Sequence, residues 1–329
     1  MKRIHRLFGW VAILSLATLA PVAYSQTVAP TSFPAKTITM VVPFSPGGGT
    51  DQVARLVAKH LFETFKTPVV VENKAGASTQ IGTRAVVEAA ADGHTLLVGT
   101  TSLINGPFLF AKLPYDASKQ LRPVASLADL PIYLAVNSSL GANNLPGFLD
   151  LARKNKGAFN YGSAGPGTTL HMSAEWLKTN AGFDATHVPF KGSGDAVTAL
   201  AGNQVQFNME NLGPVLPMVQ AKRVNLLAIA APQRHPKTPD VPTFKEFGLP
   251  DINLSTWIFL MAPAGTPDAV VARLNAAVNE ILQRADVKEQ LFANGFVPTG
   301  GTTADMLKRM DREAAQWGQV IRTAKITAQ

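Results

Sequence analysis

A glycine-rich loop between an apolar run and a helical pattern is the stretch of this sequence best suited to chemistry. Residues 38–42 predict a β-strand, and glycines 47–49 lack the Cβ atoms that would keep another group away from the backbone. Thr50 and Asp51 are preferred N-cap types and predict that a helix begins there. Free N–H groups and the positive end of a helix can bind an anion at such a place. A plain turn between strand and helix is the alternative interpretation.

A second stretch with the same order of elements lies in the middle of the chain. Residues 159–163 are strand-like, residues 164–169 form a loop with two glycines, and a helix is predicted over 170–179. Two such loops favour a ligand site over a plain turn. An anion that contacts both loops would be fully paired only when they come together.

The elements around the first loop predict a βαβαβ arrangement. The expected strands cover 38–42, 69–71 and 95–98, with helices over 52–65 and 80–90. Polar, small-residue loops over 72–79 and 99–102 follow the second and third strands. In open α/β sheets the ligand crevice lies outside the carboxyl ends of the strands, so all three loops are predicted at one crevice.

The rest of the chain predicts a second group of such elements inserted into the first. The expected elements are short apolar strands broken by prolines over 121–136, helices over 145–154 and 195–201, strands over 187–190, 205–209, 223–230 and 257–261, and helices over 268–284 and 303–324. The fold class is therefore α/β. One lobe is started, a second is inserted, and the C-terminal part completes the first.

The N-terminal 25 residues predict a secretory signal peptide. Lys2, Arg3 and Arg6 precede an apolar run over 7–20, and small residues lead to a cleavage site after Ser25. We therefore expect an exported protein that resides in the periplasm.

Composition and motifs argue against several classes of protein. The absence of cysteine excludes disulfides, thiol chemistry and cysteine-based metal sites. The formal net charge of +8 becomes +5 without the signal peptide, because 27 basic residues then face 22 acidic ones. This mild excess favours a small acidic ligand, and the Lys and Arg clusters of a nucleic-acid-binding protein are missing.

The sequence also lacks the motifs of common enzyme classes. Ser45 and Ser163 do not lie in a Gly-x-Ser-x-Gly motif, and no Walker A or dinucleotide-binding motif occurs. The histidines after the signal peptide lack the i,i+3 or i,i+4 spacing of a metal site. We therefore expect neither an enzyme nor a bound cofactor or metal.

Several motifs, taken in order along the chain, carry a family resemblance: VVPFSPGGGTD, ADGHTLLVGTTS, FNYGSAGPGTT and HVPFKGSGDAV. The chain resembles the Bug-type solute receptors of the tripartite tricarboxylate transporter family over essentially its whole mature length. The resemblance implies a two-lobed periplasmic binding protein of type II, the Venus-flytrap fold. A small di-, tri- or aromatic carboxylate is the implied ligand, and membrane permease subunits are the implied partners.

The expected division of the chain follows from the same resemblance. The signal peptide is assigned to residues 1–25, lobe 1 to residues 26–128 and 256–329, and lobe 2 to residues 129–255. A monomer is expected. The alternatives are a receptor that presents its loaded surface to a sensor protein, and a binder of acidic amino acids or other small molecules.

The family resemblance also implies how the carboxylate is bound. Backbone N–H groups, hydroxyls and ordered waters would hold it, without an arginine clamp. On this sequence those positions are Phe44, Ser45, Gly47, Gly48, Ser78, Thr79, Thr100, Thr101, Ser163, Gly165, Gly167, Thr168 and Thr169.

Further candidates come from the residues themselves. Asp51 is interpreted as a helix cap that also holds a water, with binding of a ligand ammonium group as the alternative. Lys191, with Gly192 beside it, is either a charge contact to the ligand or a solvated loop residue. Three polar residues at the end of a predicted strand complete the set: Asn208, Glu210 and Asn211.

Aromatic residues near the predicted cleft have open interpretations. His171 either faces the cleft or has a structural role. Trp257 is more typical of a hinge or core position than of a stacking platform. Phe44 and Phe190 are candidates for apolar walls of the site.

Overall fold

The structure, a computed structural model, describes residues 33–155, 157–250 and 253–323. The predicted signal peptide over 1–25 lies outside the described residues. In chain order the elements are β1 (Ile38–Val42), α1 (Gly49–Phe65), β2 (Val69–Asn73), α2 (Gln80–Val87), β3 (Thr95–Thr100), α3 (Thr101–Leu109), α4 (Ala117–Gln120), β4 (Leu121–Asn137), α5 (Leu145–Lys154), β5 (Asn160–Ser163), α6 (Thr169–Ala181), β6 (Thr186–Pro189), α7 (Ser193–Ala201), β7 (Phe207–Asn211), α8 (Leu212–Gln220), β8 (Val224–Ile229), β9 (Ser255–Pro263), α9 (Asp268–Gln283), α10 (Ala285–Ala293), β10 (Val297–Pro298) and α11 (Thr303–Thr323).

Two βαβαβ units form the framework of the molecule. In the first unit β1 lies between β2 and β3, and in the second β5 lies between β6 and β7, with all pairings parallel. A glycine loop follows the middle strand of each unit and leads into α1 or α6. The predicted pair of strand, glycine loop and helix is therefore confirmed as a structural feature.

Strand β4 connects the two units. Residues Leu121–Pro131 of β4 pair antiparallel with β9, which also pairs with β3 of the first unit. From Ile132 onward β4 pairs with β7 of the second unit and with β8. The strand order β2-β1-β3-β9-β4-β7-β5-β6 results, with β8 and β10 also pairing with β4.

The prediction of short, proline-broken strands over 121–136 is wrong, because a single strand of 17 residues covers this stretch. Proline lacks an N–H and is accepted in a sheet where the pairing is irregular or ends. The register with β9 shifts between Pro123 and Ala125, and Pro131 is the last residue of β4 that pairs with β9. Each proline thus lies at a position where the regular hydrogen-bond pattern is interrupted.

Four helices were not predicted: α3, α4, α8 and α10. Prolines obscure two of them, because α3 contains Pro107 and α8 contains Pro214 and Pro217. Pro214 is the third residue of α8, where a backbone N–H has no intrahelical acceptor, so the proline costs little there. The predicted cap of α1 is also wrong, since its N-cap is Gly48 and the helix begins at Gly49.

Apolar side chains from both units form the core. Phe148 of α5 is fully buried, and its ring packs edge-on against Phe183 and Phe207 at centroid distances of 5.9 and 5.2 Å. Such T-shaped pairs stabilise beyond the area they bury. In the described part of the chain, none of the helices combines the length and apolar character that a bilayer crossing needs.

Phe148→Ala is expected to lower the free energy of unfolding by about 3–5 kcal/mol, because it leaves a cavity beside the rings of Phe183 and Phe207. Urea unfolding followed by circular dichroism measures the loss. The matched control is Phe62→Ala, since the side chain of Phe62 on α1 is half exposed; its effect should stay within about 0.5 kcal/mol. Equal losses in the two variants would contradict this account of the core.

Candidate ligand-binding site

A small cavity lies where the strands of the two βαβαβ units end. Its volume of about 30 Å³ gives room for roughly two or three water molecules, or for a single carboxylate group. The lining residues are Phe44, Gly48, Gly49, Thr50, Thr100, Ser102, Ala164, Thr168, Thr169, Leu170, Ser193, Asn211 and Thr256.

Helix N-termini converge on this cavity. For five of the described helices, the N-cap or the first residue is part of the lining: Gly48 for α1, Thr100 for α3, Thr168 for α6, Ser193 for α7 and Asn211 for α8. Each helix N-terminus carries roughly half a positive charge from its aligned peptide dipoles. The cavity is therefore electropositive even though none of its lining side chains bears a charge.

The capping pattern leaves donors free to bind a ligand. The first N–H groups of a helix have no intrahelical acceptor, as at Gly49 and Thr50 of α1. The caps satisfy some such groups elsewhere: the Thr100 hydroxyl accepts from the Ser102 N–H, and the Thr168 hydroxyl accepts from the His171 N–H. The glycine-capped α1 has no side-chain cap of this kind.

Two hydroxyls in the cavity wall lack a partner. The side-chain oxygens of Thr169, on α6, and Thr256, on β9, are buried and make no hydrogen bond in the described structure. A buried polar atom without a partner costs free energy, so it indicates a group that the site supplies to something else. The two threonines lie on elements from different parts of the chain, and both line the same cavity.

The glycine loop after β1 closes the cavity against the loop before α7. The Ser45 N–H donates to the Lys191 carbonyl at 3.1 Å, and the Ser45 hydroxyl donates to Asp195 Oδ2 at 2.7 Å. A Cβ on Gly192 would lie 2.3 Å from Ser45 Oγ, so this close approach requires glycine. The two loops are therefore in direct contact beside the cavity.

Comparison with known proteins assigns the chain to a family. The sequence model of the tripartite tricarboxylate transporter family receptors (TctC) matches residues 53–326. The chain belongs to this family. A protein of the tcbD-tcbE intergenic region of Pseudomonas sp. (strain P51) is 35% identical over 317 residues, 94% of each chain. Protein BugT of Bordetella pertussis is 34% identical over 306 residues, 92% of this chain and 94% of BugT.

Solved structures are similar to the whole described fold. A protein of R. palustris with adipate has a TM-score of 0.88 at 33% identity, covering 90% of this chain and 99% of that one. MatC from Rhodopseudomonas palustris with bound malate has a TM-score of 0.83 at 35% identity, covering 88% and 100%. The expectation of a two-lobed periplasmic binding protein is confirmed, and so is the exclusion of an enzyme, because the family consists of periplasmic solute receptors.

The cavity is lined by six of the residues that the sequence singled out: Phe44, Gly48, Thr100, Thr168, Thr169 and Asn211. The remaining candidates lie outside its lining: Ser45, Gly47, Asp51, Ser78, Thr79, Thr101, Ser163, Gly165, Gly167, Lys191, Gly192, Asn208 and Glu210. For these thirteen, a direct ligand contact stays a prediction.

Asp51 has a structural task in the glycine loop. Its carboxylate accepts from the Gly47 N–H at 3.0 Å, from Arg55 Nε at 2.9 Å and from Asn73 Nδ2 at 2.9 Å. Burial alone would raise the pKa of Asp51, but these hydrogen bonds outweigh it and the pKa is lowered. The Arg55 guanidinium compensates the negative charge, so the carboxylate does not oppose an anion in the cavity.

Thr101 and Asn208 are likewise engaged with the protein. The Thr101 hydroxyl donates to Glu313 at 3.1 Å and accepts from the Trp257 N–H at 3.3 Å. The Asn208 side chain accepts from the Gly162 N–H at 2.8 Å and donates to a backbone carbonyl of α7 at 3.0 Å. Trp257 is fully buried, which agrees with its interpretation as a core residue.

Gly49 and Thr50 also line the cavity and belong to the predicted glycine loop and helix start. The candidates did not include five further lining residues: Ser102, Ala164, Leu170, Ser193 and Thr256. Most are neighbours of residues that were candidates. Ser193 follows Gly192 in a loop that the motif HVPFKGSGDAV already marked, so extension of that loop by one residue would have found it. Thr256 precedes Trp257 at the start of β9, and no local pattern distinguishes its hydroxyl.

Glu210 lies directly behind the lining. Its side chain is fully buried, with Oε1 accepting from the Ser193 hydroxyl at 2.5 Å and from the Asn211 N–H at 2.8 Å. The second carboxyl oxygen, Oε2, has no partner. Burial raises the pKa of Glu210 to about 8, although the bonds from Ser193 and Asn211 act in the opposite direction.

Two stacked histidines support the second glycine loop. The rings of His171 and His187 lie 4.2 Å apart, His171 Nδ1 accepts from the Gly167 N–H at 3.2 Å, and His187 Nε2 lies 2.7 Å from Ser163 Oγ. The structure thus gives His171 a structural role. Burial lowers the pKa of His171 to about 4 and that of His187 to about 3, so both rings are neutral at pH 7.

The histidine pair predicts a specific dependence of stability on pH. Because both folded pKa values lie below the usual 6.5, the unfolded chain binds more protons and stability is lost as pH falls from 6.5 towards 4. At pH 5.5 the two residues should contribute about 2 kcal/mol per pH unit. Urea unfolding between pH 7 and 5 measures the slope. The variant His171→Gln/His187→Gln should lose that part of it, and an unchanged slope would contradict the assignment.

Proposed function

We propose that the chain is a receptor that captures a small dicarboxylate between its two lobes and delivers it to the membrane permease of a tripartite transporter. The convergence of five helix N-termini on one cavity without charged lining residues carries this proposal. An anion is the ligand that such a cavity stabilises. Similar proteins solved with adipate and with malate support a carboxylate in particular.

The energetics favour a carboxylate held by neutral donors. A carboxylate that leaves water loses several kcal/mol of solvation unless it is paired. Hydrogen bonds to an ionised group each contribute roughly 1.5–3 kcal/mol, and each nearby helix N-terminus contributes about 0.3–1 kcal/mol. Thr169, Thr256 and the free N–H groups of α1 supply enough donors to offset the loss.

Lobe closure follows from the same donors. We assign residues 26–128 and 256–329 to one lobe and residues 129–255 to the other. The change of partners along β4 at Pro131 and Ile132 supports this boundary. Thr256 and α1 would then belong to one lobe and Thr169 to the other, so the ligand is fully paired only when the lobes meet. The cavity has room for a single carboxylate group. The rest of a longer acid would occupy space that becomes available when the loops at Ser45 and Gly192 separate.

A thermal-shift screen tests this function. Malate, succinate, adipate, citrate and benzoate are compared with the uncharged dimethyl esters of succinate and adipate as matched controls. At least one dicarboxylate should raise the melting temperature by several degrees, because a ligand at a hundred times its Kd stabilises the folded state by about 2.7 kcal/mol. The esters should have no effect. Equal shifts by acids and esters, or none by any acid, would overturn the proposal.

Thr169→Val and Thr256→Val are expected to weaken dicarboxylate binding about tenfold or more each, because each removes a hydrogen bond to an ionised group. Isothermal titration calorimetry with malate measures the loss. Thr266→Val is the matched control, since Thr266 is also a buried threonine whose hydroxyl has no partner but it lies outside the cavity. If all three variants bound malate equally well, the two hydroxyls would not be ligand contacts.

A further inference from the structure

Glu210 and Ser193 form a pair that joins the cavity to a buried carboxyl group. Ser193 lines the cavity, and its hydroxyl is 2.5 Å from Oε1 of Glu210, which is wholly inaccessible to solvent. Oε2 of Glu210 has no hydrogen-bond partner. A charged carboxylate in such a place would be left without the solvation or the pairing that it needs.

The groups around Glu210 do not compensate a negative charge. Ser193 contacts it from α7, Asn211 contacts it from its own strand, and Tyr133 is its register partner on β4. Burial raises the pKa of Tyr133 to about 12, so this phenol is neutral at physiological pH. Helix α7 contains one charged residue, Asp195, which is bonded to Ser45. No ion pair with Glu210 occurs among the described residues, and it lies beside an anion site.

The protonation of Glu210 decides what Ser193 can do for a ligand. A charged Glu210 can only accept, so the Ser193 hydrogen is donated to it and Ser193 offers lone pairs to the cavity. A protonated Glu210 can donate to Ser193 Oγ, and the serine hydrogen is then free to point at a ligand oxygen. A ligand carboxylate also cannot donate a hydrogen bond, so it is matched to the protonated state and repelled by the charged one.

We propose that Glu210 acts through Ser193 as a positioning residue of the binding site, and that a carboxylate ligand binds only when Glu210 carries a proton. This inference rests on the proposed function, because it concerns the same cavity. The proton comes from solvent, so binding of one dianion takes up one proton when Glu210 is charged in the free protein. Protonated Glu210 then donates a hydrogen bond to Ser193, and the Ser193 hydroxyl donates one to the ligand. The ligand class is thus a fully ionised acid bound together with a proton.

The test is the affinity of the full chain for malate between pH 7 and pH 9.5, a range in which malate itself stays a dianion. In the wild type the dissociation constant should rise roughly tenfold or more across this range. Calorimetry at pH 9 in two buffers of different ionisation enthalpy should show uptake of roughly 0.9 proton per malate bound, because most of Glu210 is charged in the free protein at that pH. A pH-independent affinity without proton uptake would overturn the inference.

Two variants separate this role from a merely structural one. Glu210→Gln keeps the size and the donor of the protonated acid, so the pH dependence between 7 and 9.5 should disappear. Ser193→Ala removes the hydrogen bond that connects Glu210 to the cavity, so the malate affinity should lose its dependence on pH in this variant as well. Ser102→Ala is the matched control, because Ser102 also lines the cavity but has no bond to Glu210. Whatever its affinity at pH 7, the fold-change of its dissociation constant between pH 7 and pH 9.5 should equal that of the wild type. A wild-type profile in Glu210→Gln or in Ser193→Ala would refute the inference.

The outcomes also distinguish this inference from the proposed function. If the wild type binds malate and the profile is flat, the carboxylate receptor stands and the proton linkage fails. If neither malate nor any other acid binds at pH 7, the proposed function fails, and the linkage fails with it.

Discussion

The proposed function depends on the requirement that a charged ligand be taken out of water without a charged partner. The cavity lining has no Lys, Arg, Asp or Glu, and its electropositive character comes from peptide dipoles and hydroxyls. Such a site works only if several helix N-termini meet within a few ångströms, since each contributes a fraction of a charge and the effect falls off within one turn. The fold must therefore bring five helix ends, from two separate βαβαβ units, to one place.

The sheet is what makes this convergence possible. In each unit the first strand lies in the middle, so the helices that follow the first and third strands begin next to one another. Strand β4 passes from the partners of the first unit to those of the second without a break, and β9 returns beside it. Strand β4 thus connects the two units, and β9 pairs with it up to Pro131. The bulges near Pro123 allow β4 to bend while its pairing with β9 continues.

The sequence predicted those parts of the site that are formed by residues close together in the chain. Glycines 47–49 predicted one loop and helix start, and the threonines at 168 and 169 marked the other. Residues of both loops line the cavity. The helices α3 and α8 could not be recognised, because Pro107 and Pro214 mask patterns that tertiary packing supports. Their N-termini nevertheless supply two of the five that converge.

Long-range pairing explains the other differences between prediction and structure. The bond between the Ser45 hydroxyl and Asp195, 150 residues away in the chain, was not predicted; a ligand contact of Ser45 stays a prediction. Thr256 was missed because the absence of a partner for its hydroxyl is a property of the folded surroundings. Glu210 was placed correctly beside the cleft, yet its complete burial depends on α7 packing over β7. None of these relationships can be read from spacing along the chain.

A site built from neutral donors also suits a receptor that must release its ligand. A guanidinium keeps its full charge in any conformation, whereas a set of helix ends acts on one anion only while the helices point at it. When the loop at Ser45 separates from the loop at Gly192, the donors on either side no longer share the ligand and water can replace them. In the proposed function, the stabilisation of the anion is thus tied to the closed state, and separation of the donors weakens binding.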